Sequence, residues 1–325
     1  MRAVVLESYG GPEVLTVRDV PDPVPGPEEV LVAVAATALN RADLLQRRGF
    51  YPGPPMPHEI PGMELSGRVT ALGERVQAVA VGDDVMAIVG GGAYAEQICV
   101  HERLVMPTPV SLSVADAAAI PEVFITAYDA LVVQGGLTAG RTALVHAGGS
   151  GVGTAAIQIA KAIGASVIVT ASAGKLDRCI ELGADAAVDY GSADFVVAAN
   201  TETAGRGVDV VLDVIGGDYV DRNIDALTVG GRIVQVGVMG GGSTKVTIAK
   251  LLPKRASIIG TVLRGRAIEE KIAITQRFRA EMLPLFAAGR LHPVIDSRYP
   301  LDRIAEAHER METNANIGKI VIDVG

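Results

Sequence analysis

The chain has 325 residues, 49% of them hydrophobic, and a formal net charge of -8 from 29 basic and 37 acidic residues. This length fits two domains, and the negative charge argues against nucleic acid as a partner. No apolar run approaches the roughly 20 residues that cross a membrane, and the first residues lack a signal-peptide pattern. Cys99 and Cys179 form no CxxC motif, which favours a reducing compartment. We therefore expect a cytoplasmic protein with no membrane partner.

The first third of the chain has the pattern of a β-rich domain. Residues 1–121 alternate short apolar runs with turn residues, and the runs are short enough for strands. Strands are predicted at 3–6, 30–35, 65–71, 84–89 and 94–100.

Residues 122–264 change to strands that alternate with helices. This alternation predicts an α/β fold with a doubly wound parallel (Rossmann) sheet, whose ligand crevice lies past the carboxyl ends of the strands. Helices are predicted at 154–163 and 175–182. The predicted strands are 143–147, 166–171, 186–189, 208–213, 232–237 and 257–261.

The last segment, residues 265–325, has two helix-like stretches, 267–288 and 301–313, and a final strand at 319–324. One strand cannot form a core of its own. We therefore expect this segment to return to the first domain.

The glycine-rich turn at 148–153 is the most informative feature of the sequence. It reads GGSGVG and lies between an apolar strand and an alanine-rich helix. Glycines let the backbone approach phosphate oxygens, and a helix start offers unpaired N–H groups together with the positive end of its dipole. Gly149, Ser150, Gly151 and Val152 are therefore expected to bind the diphosphate of a dinucleotide. A structural turn in another α/β fold is the alternative.

The end of the second strand of this unit indicates which dinucleotide binds. Folds of this kind that bind NAD usually have an acidic residue there, which bonds the ribose 2′-hydroxyl. This chain has no carboxylate in residues 170–174, and Lys175 follows. A lysine can neutralise a 2′-phosphate, so NADPH is favoured over NADH.

The sequence resembles the medium-chain dehydrogenase/reductase superfamily and, within it, the zinc-independent quinone oxidoreductases related to zeta-crystallin. The resemblance covers nearly the whole chain. It implies a chaperonin-like (GroES-like) β-barrel catalytic domain at 1–121, a Rossmann domain at 122–264, and a segment at 265–325 that returns to the catalytic domain. The motifs that carry it are GGPEVL at 10–15, NRADLLQRRGFYPGPP at 40–55, PGMELSGRV at 61–69, VGDDV at 81–85, HAGGSGVGTAAIQIAKAIGA at 146–165, VGVMGGG at 236–242 and NIGKIVI at 316–322.

The same resemblance argues against a metal. Zinc alcohol dehydrogenases carry a cysteine and a histidine where this chain has Asn40 and Met63. An amide and a thioether are poor zinc ligands. We therefore expect no zinc.

Further cofactor contacts follow only from the resemblance. It implies that Ser172 and Tyr190 join Lys175 around the 2′-phosphate. It also implies contacts along the rest of the cofactor from Asn40, Thr126, Val238, Met239, Gly240, Leu263, and Asn314 or Asn316.

The expected reaction is NADPH-dependent reduction of a quinone. A quinone carbonyl is already electrophilic, so positioning can replace a Lewis-acid metal. Tyr51 is expected to contact the substrate, either as a proton donor or as a pocket wall. Arg41, Gln46 and Arg264 could line the entrance to the substrate, although solvated surface is the expected position of each arginine.

Two alternatives to quinone reduction stay open. One is reduction of an enone or enoyl thioester, because the same phenol could protonate an enolate. The other is a crystallin-like or sensing protein that binds NADPH with little turnover. A small-molecule quinone or activated alkene is the expected partner, and pairing of two chains through strand 257–262 would give a homodimer.

Overall fold

The structure is a computed structural model that describes residues 1–325. It divides into two compact units. The first contains Met1–Val123 and Arg264–Gly325, and the second contains Phe124–Leu263. None of the helices has both the length and the apolar composition that crossing a membrane requires.

The secondary structure includes fifteen strands and ten α-helices. The strands are β1 (Arg2–Leu6), β2 (Leu15–Asp19), β3 (Glu29–Ala38), β4 (Glu64–Leu72), β5 (Asp84–Ile88), β6 (Gln97–His101), β7 (Val105–Pro107), β8 (Thr142–His146), β9 (Ser166–Ala171), β10 (Ala186–Asp189), β11 (Val208–Asp213), β12 (Leu227–Gln235), β13 (Ser257–Gly260), β14 (Ile295–Pro300) and β15 (Lys319–Asp323). The helices are α1 (Arg41–Arg47), α2 (Val114–Ala117), α3 (Pro121–Tyr128), α4 (Gly151–Ala162), α5 (Leu176–Glu181), α6 (Phe195–Glu202), α7 (Tyr219–Ala226), α8 (Leu251–Lys254), α9 (Ile268–Ala287) and α10 (Ile304–Glu312).

The second unit is built on a six-stranded sheet in the order β10-β9-β8-β11-β12-β13. All five strand pairs are parallel, so the carboxyl ends of the six strands lie along one edge. Every residue of β8 and β11 is buried, as the apolar runs of a parallel sheet require. The predicted doubly wound parallel sheet is confirmed.

The first unit is built on a seven-stranded sheet in the order β14-β15-β3-β4-β5-β7, with β6 also paired to β3. Along β3, buried and half-buried residues alternate, which is the pattern of a strand with one face on a core. The β1-β2 pair forms a separate two-stranded sheet. The core beneath these strands includes Val30, Leu65 and Ile320, all fully buried.

Three strands of the first unit differ from the prediction. β2, β7 and β14 were not predicted, and the last segment carries two strands rather than one. β14 has no fully buried residue, and β7 has only three residues. β7 and β14 therefore lack the apolar alternation on which the prediction of a strand depends.

Gly153 is required by the tight junction between β8 and α4. A Cβ there would lie 2.6 Å from the Gly148 carbonyl oxygen and closer still to that of Ala147. Because both atoms are backbone, they cannot move aside cheaply. Gly153→Ala should therefore lower the free energy of unfolding by about 1–3 kcal/mol in urea denaturation without cofactor.

Gly174→Ala is the matched control, since a Cβ at Gly174 meets no atom within 4 Å. It should leave the free energy of unfolding within about 0.5 kcal/mol of the parent value. Equal stabilities of the two variants would contradict the steric argument.

Candidate active site

The glycine-rich turn follows β8 at the carboxyl edge of the second unit's sheet. Ala147 enters the turn with a φ of 58°, a left-handed conformation that is uncommon for a residue with a side chain. Ser150 caps the helix that follows, because its Oγ accepts the Gly153 N–H at 3.0 Å. The first-turn N–H groups of Gly151 and Val152 have no acceptor within the helix and suit an anion.

Helix α4 begins earlier than the sequence predicts. The prediction started it at residue 154, whereas the helix starts at Gly151, inside the glycine turn. Ser150 supplies the cap that makes this start favourable, and glycine is tolerated in a first turn. The earlier start places the end of the helix dipole next to the residues predicted to bind diphosphate.

Lys175 lies beside this turn. A Cβ built on Gly149 would come within 2.7 Å of Lys175 Cδ, so the lysine stem covers the glycine. The backbone N–H of Lys175 donates to the Ser172 carbonyl at 2.9 Å, closing a short 3₁₀ turn after β9. The structure thus brings Ser172 and Lys175 to the same sheet edge as the glycine turn.

Tyr190 follows β10 at that edge. Its N–H donates to the Ala171 carbonyl at 3.3 Å, which ties it to the end of β9. Its side chain is 56% exposed, so it is available for contact with a ligand. The parallel register, with Asp189 opposite Ala171, places it one residue beyond the sheet.

Two further loops meet at the same edge, after β11 and β12. Gly216 and Gly241 form a parallel bridge, and the Gly240 N–H donates to the Ile215 carbonyl at 2.7 Å. Gly217 has a φ of 53°, and a Cβ there would lie 2.8 Å from the Gly240 carbonyl oxygen. The residues Val238, Met239 and Gly240 of this loop, predicted to run beside the nicotinamide, are exposed.

A buried polar network that the sequence analysis missed holds these loops. Asp213 Oδ1 accepts the N–H groups of Ile215 at 2.6 Å and Gly216 at 2.9 Å. Its other oxygen accepts Asn223 Nδ2 at 2.9 Å. An aspartate at the end of an apolar strand is the signal that could have revealed it.

His146 completes the network from the end of β8. Because the Asn223 amide nitrogen donates to Asp213, its Oδ1 is left to accept from His146 Nε2 at 2.7 Å. The other ring nitrogen then accepts from the Thr170 hydroxyl at 3.0 Å. Burial lowers the pKa of His146, which agrees with this neutral form. Four strand and helix segments are thereby joined at the ligand edge.

In the first unit, Asn40 lies in a buried cluster of charged and polar groups. Its Nδ2 donates to Glu64 Oε1 at 2.8 Å, and its Oδ1 accepts from Lys319 Nζ at 2.7 Å. Lys319 is only 3% exposed and lies 2.7 Å from the same Glu64 oxygen. Asn40 is predicted from the resemblance, whereas its two charged partners, Glu64 and Lys319, are not.

Asp43 lies on the other side of Asn40, in the first turn of α1. Its Oδ2 accepts the Asn40 N–H at 2.8 Å and the Tyr94 hydroxyl at 2.9 Å. Burial raises the pKa of Asp43 to about 6. The carboxyl group therefore fixes the backbone from which the Asn40 side chain extends.

Tyr51 is held by Arg264, which the sequence analysis expected to be solvated. The guanidinium lies 4.9 Å from the Tyr51 ring centroid and donates to the Tyr51 carbonyl at 3.2 Å. It also donates to Gly90 O at 2.6 Å and Gln46 Oε1 at 2.7 Å. The expected solvation of Arg264 is therefore wrong, because its guanidinium bonds three acceptors and lies on an aromatic face.

The remaining residues named from the resemblance are spread over both units. Thr126 and Leu263 are buried side chains of the second unit. In the first unit, Asn314 has a φ of 55°, and its Oδ1 accepts from Arg41 Nη2 at 2.5 Å. Arg41 is also half-buried rather than fully solvated. Asn316 is buried and donates to the Gly318 carbonyl at 3.0 Å.

The positions that match zinc ligands do not fit a zinc ion. The side-chain oxygen of Asn40, Oδ1, already accepts from the Lys319 ammonium, and Met63 offers only a thioether. A positive charge therefore already lies between Asn40 and Glu64. No group of three or more His, Cys, Asp or Glu side chains in the chain is arranged to hold a metal.

Comparison with known proteins agrees with this fold. Residues 26–110 match the alcohol dehydrogenase GroES-like domain family, and residues 182–322 match the zinc-binding dehydrogenase family. The quinone oxidoreductase of Homo sapiens is 31% identical over 99% of this chain and 97% of its own length.

Solved structures show the same similarity. An alcohol dehydrogenase superfamily protein from Novosphingobium aromaticivorans superposes with a TM-score of 0.91 at 34% identity, and both chains are fully covered. The JamJ enoyl reductase superposes with a TM-score of 0.89 at 25% identity, over 100% of this chain and 99% of its own.

The fold and these relatives define the chain as an oxidoreductase of a dehydrogenase/reductase family that uses a nicotinamide cofactor. The chain belongs to the medium-chain dehydrogenase/reductase superfamily, among the quinone oxidoreductases. The GroES-like first domain and the Rossmann domain that the resemblance implied are confirmed as fold types.

The protonation state of Glu122 should make the stability of the fold depend on pH. Its N–H donates to Glu64 Oε2 at 2.8 Å. Burial, with the Glu64 carboxylate second, raises the pKa of Glu122 from 4.5 to about 8. The neutral Glu122 carboxyl contributes stability that is fully present below about pH 4.5, the ordinary pKa. This contribution is lost as the pH rises through about 8, the pKa in the folded state.

Glu122→Gln should remove this loss, because an amide needs no proton. In urea denaturation at pH 5 and pH 8.5, the parent chain should lose about 1–3 kcal/mol more stability than the variant. Glu306→Gln is the control, since its bond to Arg303 lowers the pKa of Glu306. Identical pH dependence in the parent and Glu122→Gln would contradict the account.

Proposed function

We propose that the protein is an NADPH-dependent, zinc-independent quinone oxidoreductase. The observation that carries the proposal is the composition of the carboxyl edge in the second unit. There Lys175 covers Gly149 at the glycine turn, and no carboxylate occupies residues 170–174. A dinucleotide diphosphate at the turn would put its adenosine ribose within reach of this lysine.

The cofactor supplies a hydride from nicotinamide C4, and a hydride with one proton converts a quinone to a hydroquinone. The chain's own residues have positioning roles. Gly149, Ser150, Gly151 and Val152 present backbone groups to the diphosphate, and Ser172, Lys175 and Tyr190 bind the 2′-phosphate. The contacts named from the resemblance bind the rest of the cofactor. They are Asn40, Thr126, Val238, Met239, Gly240, Leu263, and Asn314 or Asn316.

Tyr51 is the residue proposed to contact substrate. Burial raises the pKa of its phenol, and a phenol is protonated at neutral pH even at its ordinary pKa. A protonated phenol can donate a hydrogen bond to the oxygen that gains charge as the hydride arrives. Arg264 packs on the ring and fixes its position.

No metal is needed in this proposal. The Asn40 oxygen that a zinc ion would require already holds the Lys319 ammonium. A quinone carbonyl accepts hydride without a Lewis acid, whereas alcohol oxidation must stabilise an alkoxide. The quinone oxidoreductase relatives support the same substrate class.

Reduction of an activated alkene is the second candidate. The structural similarity to the JamJ enoyl reductase favours it, because that protein reaches a TM-score of 0.89. The Tyr51 phenol could protonate an enolate as well as a hydroquinone anion.

We also propose a homodimer. Strand β13 pairs only with β12 and leaves its other edge open. Ile258 on this strand is 40% exposed. Pairing of two β13 strands would cover both edges.

NADPH oxidation with quinones, enones, enoyl thioesters and alcohols tests the reaction. The expected order of kcat/KM is quinone above enone, with no alcohol oxidation. Tyr51→Phe should lower kcat with a quinone about 10- to 100-fold if the phenol donates a proton. An enone preferred over every quinone would favour the second candidate, and NADPH consumption that no acceptor stimulates would contradict both.

Lys175→Ala tests the cofactor assignment. Loss of a charge-assisted contact should lower the ratio of kcat/KM for NADPH to that for NADH about 10- to 100-fold. Lys161→Ala is the matched control, because Lys161 pairs with Asp185 at 2.7 Å near the start of β9, away from the ligand edge. An unchanged ratio in Lys175→Ala would overturn the assignment.

A further inference from the structure

Lys319 is a buried lysine of the first unit. The proposed reaction gives its ammonium no role of its own. Its ammonium donates to the Leu39 carbonyl at 2.5 Å and to Asn40 Oδ1 at 2.7 Å. The third contact is Glu64 Oε1 at 2.7 Å. All three N–H groups of the ammonium are therefore occupied.

Glu64 is equally well satisfied. It is fully buried, and besides Lys319 it accepts from Asn40 Nδ2 and from the backbone N–H of Glu122, each at 2.8 Å. The carboxylate and the ammonium share Asn40 between them. Burial of such a pair is costly in desolvation and is weak evidence for stability, so another role should be sought.

The two charges determine the orientation of the Asn40 amide. Its oxygen faces the ammonium, and its nitrogen faces the carboxylate and the Ala38 carbonyl, the latter at 3.2 Å. A flipped amide would place its N–H groups against the ammonium and its oxygen against the carboxylate. Both contacts would then be repulsive, so only one orientation is compatible with the pair.

We propose that Lys319 is a positioning residue for the nicotinamide, acting through the amide of Asn40. This inference rests on the proposed function, in which Asn40 contacts the cofactor. The ammonium lies on Asn40, at the position where zinc alcohol dehydrogenases carry a cysteine ligand. In this chain a side-chain cation, the Lys319 ammonium, bonds the residue at that position.

Two variants distinguish the orientation of the Asn40 amide from the charge balance of the buried pair. Lys319→Met leaves Glu64 as an unpaired buried charge, and this variant could be unstable for that reason alone. Lys319→Met combined with Glu64→Gln removes both charges and restores neutrality. In thermal denaturation, the Tm of the double variant should be closer to that of the parent chain than the Tm of Lys319→Met is.

Cofactor binding is the readout that needs no turnover. Calorimetric titration with NADPH and with adenosine 2′,5′-bisphosphate, which lacks the nicotinamide half, compares the two ends of the cofactor. In the double variant, Kd for NADPH should rise about tenfold while Kd for the bisphosphate stays unchanged. With a quinone acceptor, kcat should fall about 10- to 100-fold, because the ring is no longer held in register.

A triple variant tests whether the effect passes through Asn40. Adding Asn40→Ala to the double variant should cause little further loss of kcat, whereas independent roles would make the two losses multiply. Lys161→Met is the matched control and should change neither Kd nor kcat.

The possible outcomes are distinguishable. A folded double variant with parental Kd for NADPH and parental kcat would overturn the role of Lys319, and so would an equal loss of NADPH and bisphosphate binding. If the parent chain reduces no quinone yet binds NADPH, the proposed reaction fails while the binding arm still tests Lys319. If the parent chain binds neither ligand, both proposals fail.

Discussion

The parallel register of the second unit's sheet is the constraint on which the site depends. Strands that run in one direction end along one edge, so turns far apart in sequence meet there. Gly149, Lys175 and Tyr190 each follow a different strand of this sheet. A charged diphosphate requires backbone N–H groups at close range, and a glycine turn before a helix start is the local structure that offers them.

Keeping that edge in place requires polar groups inside an apolar sheet. His146, Asn223 and Asp213 satisfy one another and the backbone of the loop after β11. Each of the three is fully buried, so a lost partner would leave a polar group without water. The first unit uses the same principle with full charges, where Lys319 and Glu64 orient the amide of Asn40.

The fold of the second unit could be predicted well because its strands are continuous apolar runs and its turn has a recognisable chemistry. β9, β10 and β11 have the bounds that the sequence predicts. The start of α4 was placed three residues late, since glycines in a first turn look like loop until the Ser150 cap is seen. β14 in the first unit was missed because its residues are partly exposed and show no alternation.

The site was harder to predict than the fold. Local spacing identified the glycine turn and Lys175, because the motif and its partner lie within one strand-helix-strand unit. The partners of Asn40 come from β4 and β15, and Lys319 follows Asn40 by 279 residues. Only tertiary structure brings them together. Arg264 was misjudged for the same reason, since its acceptors lie in distant loops of the first unit.

A crystal structure of the protein grown with NADP⁺ tests the central claim most directly. The account predicts diphosphate oxygens within about 3.2 Å of backbone nitrogens in the turn at 149–152, with the 2′-phosphate at the Lys175 ammonium. A bound cofactor whose diphosphate lies elsewhere, or whose 2′-phosphate faces solvent away from Lys175, would contradict it.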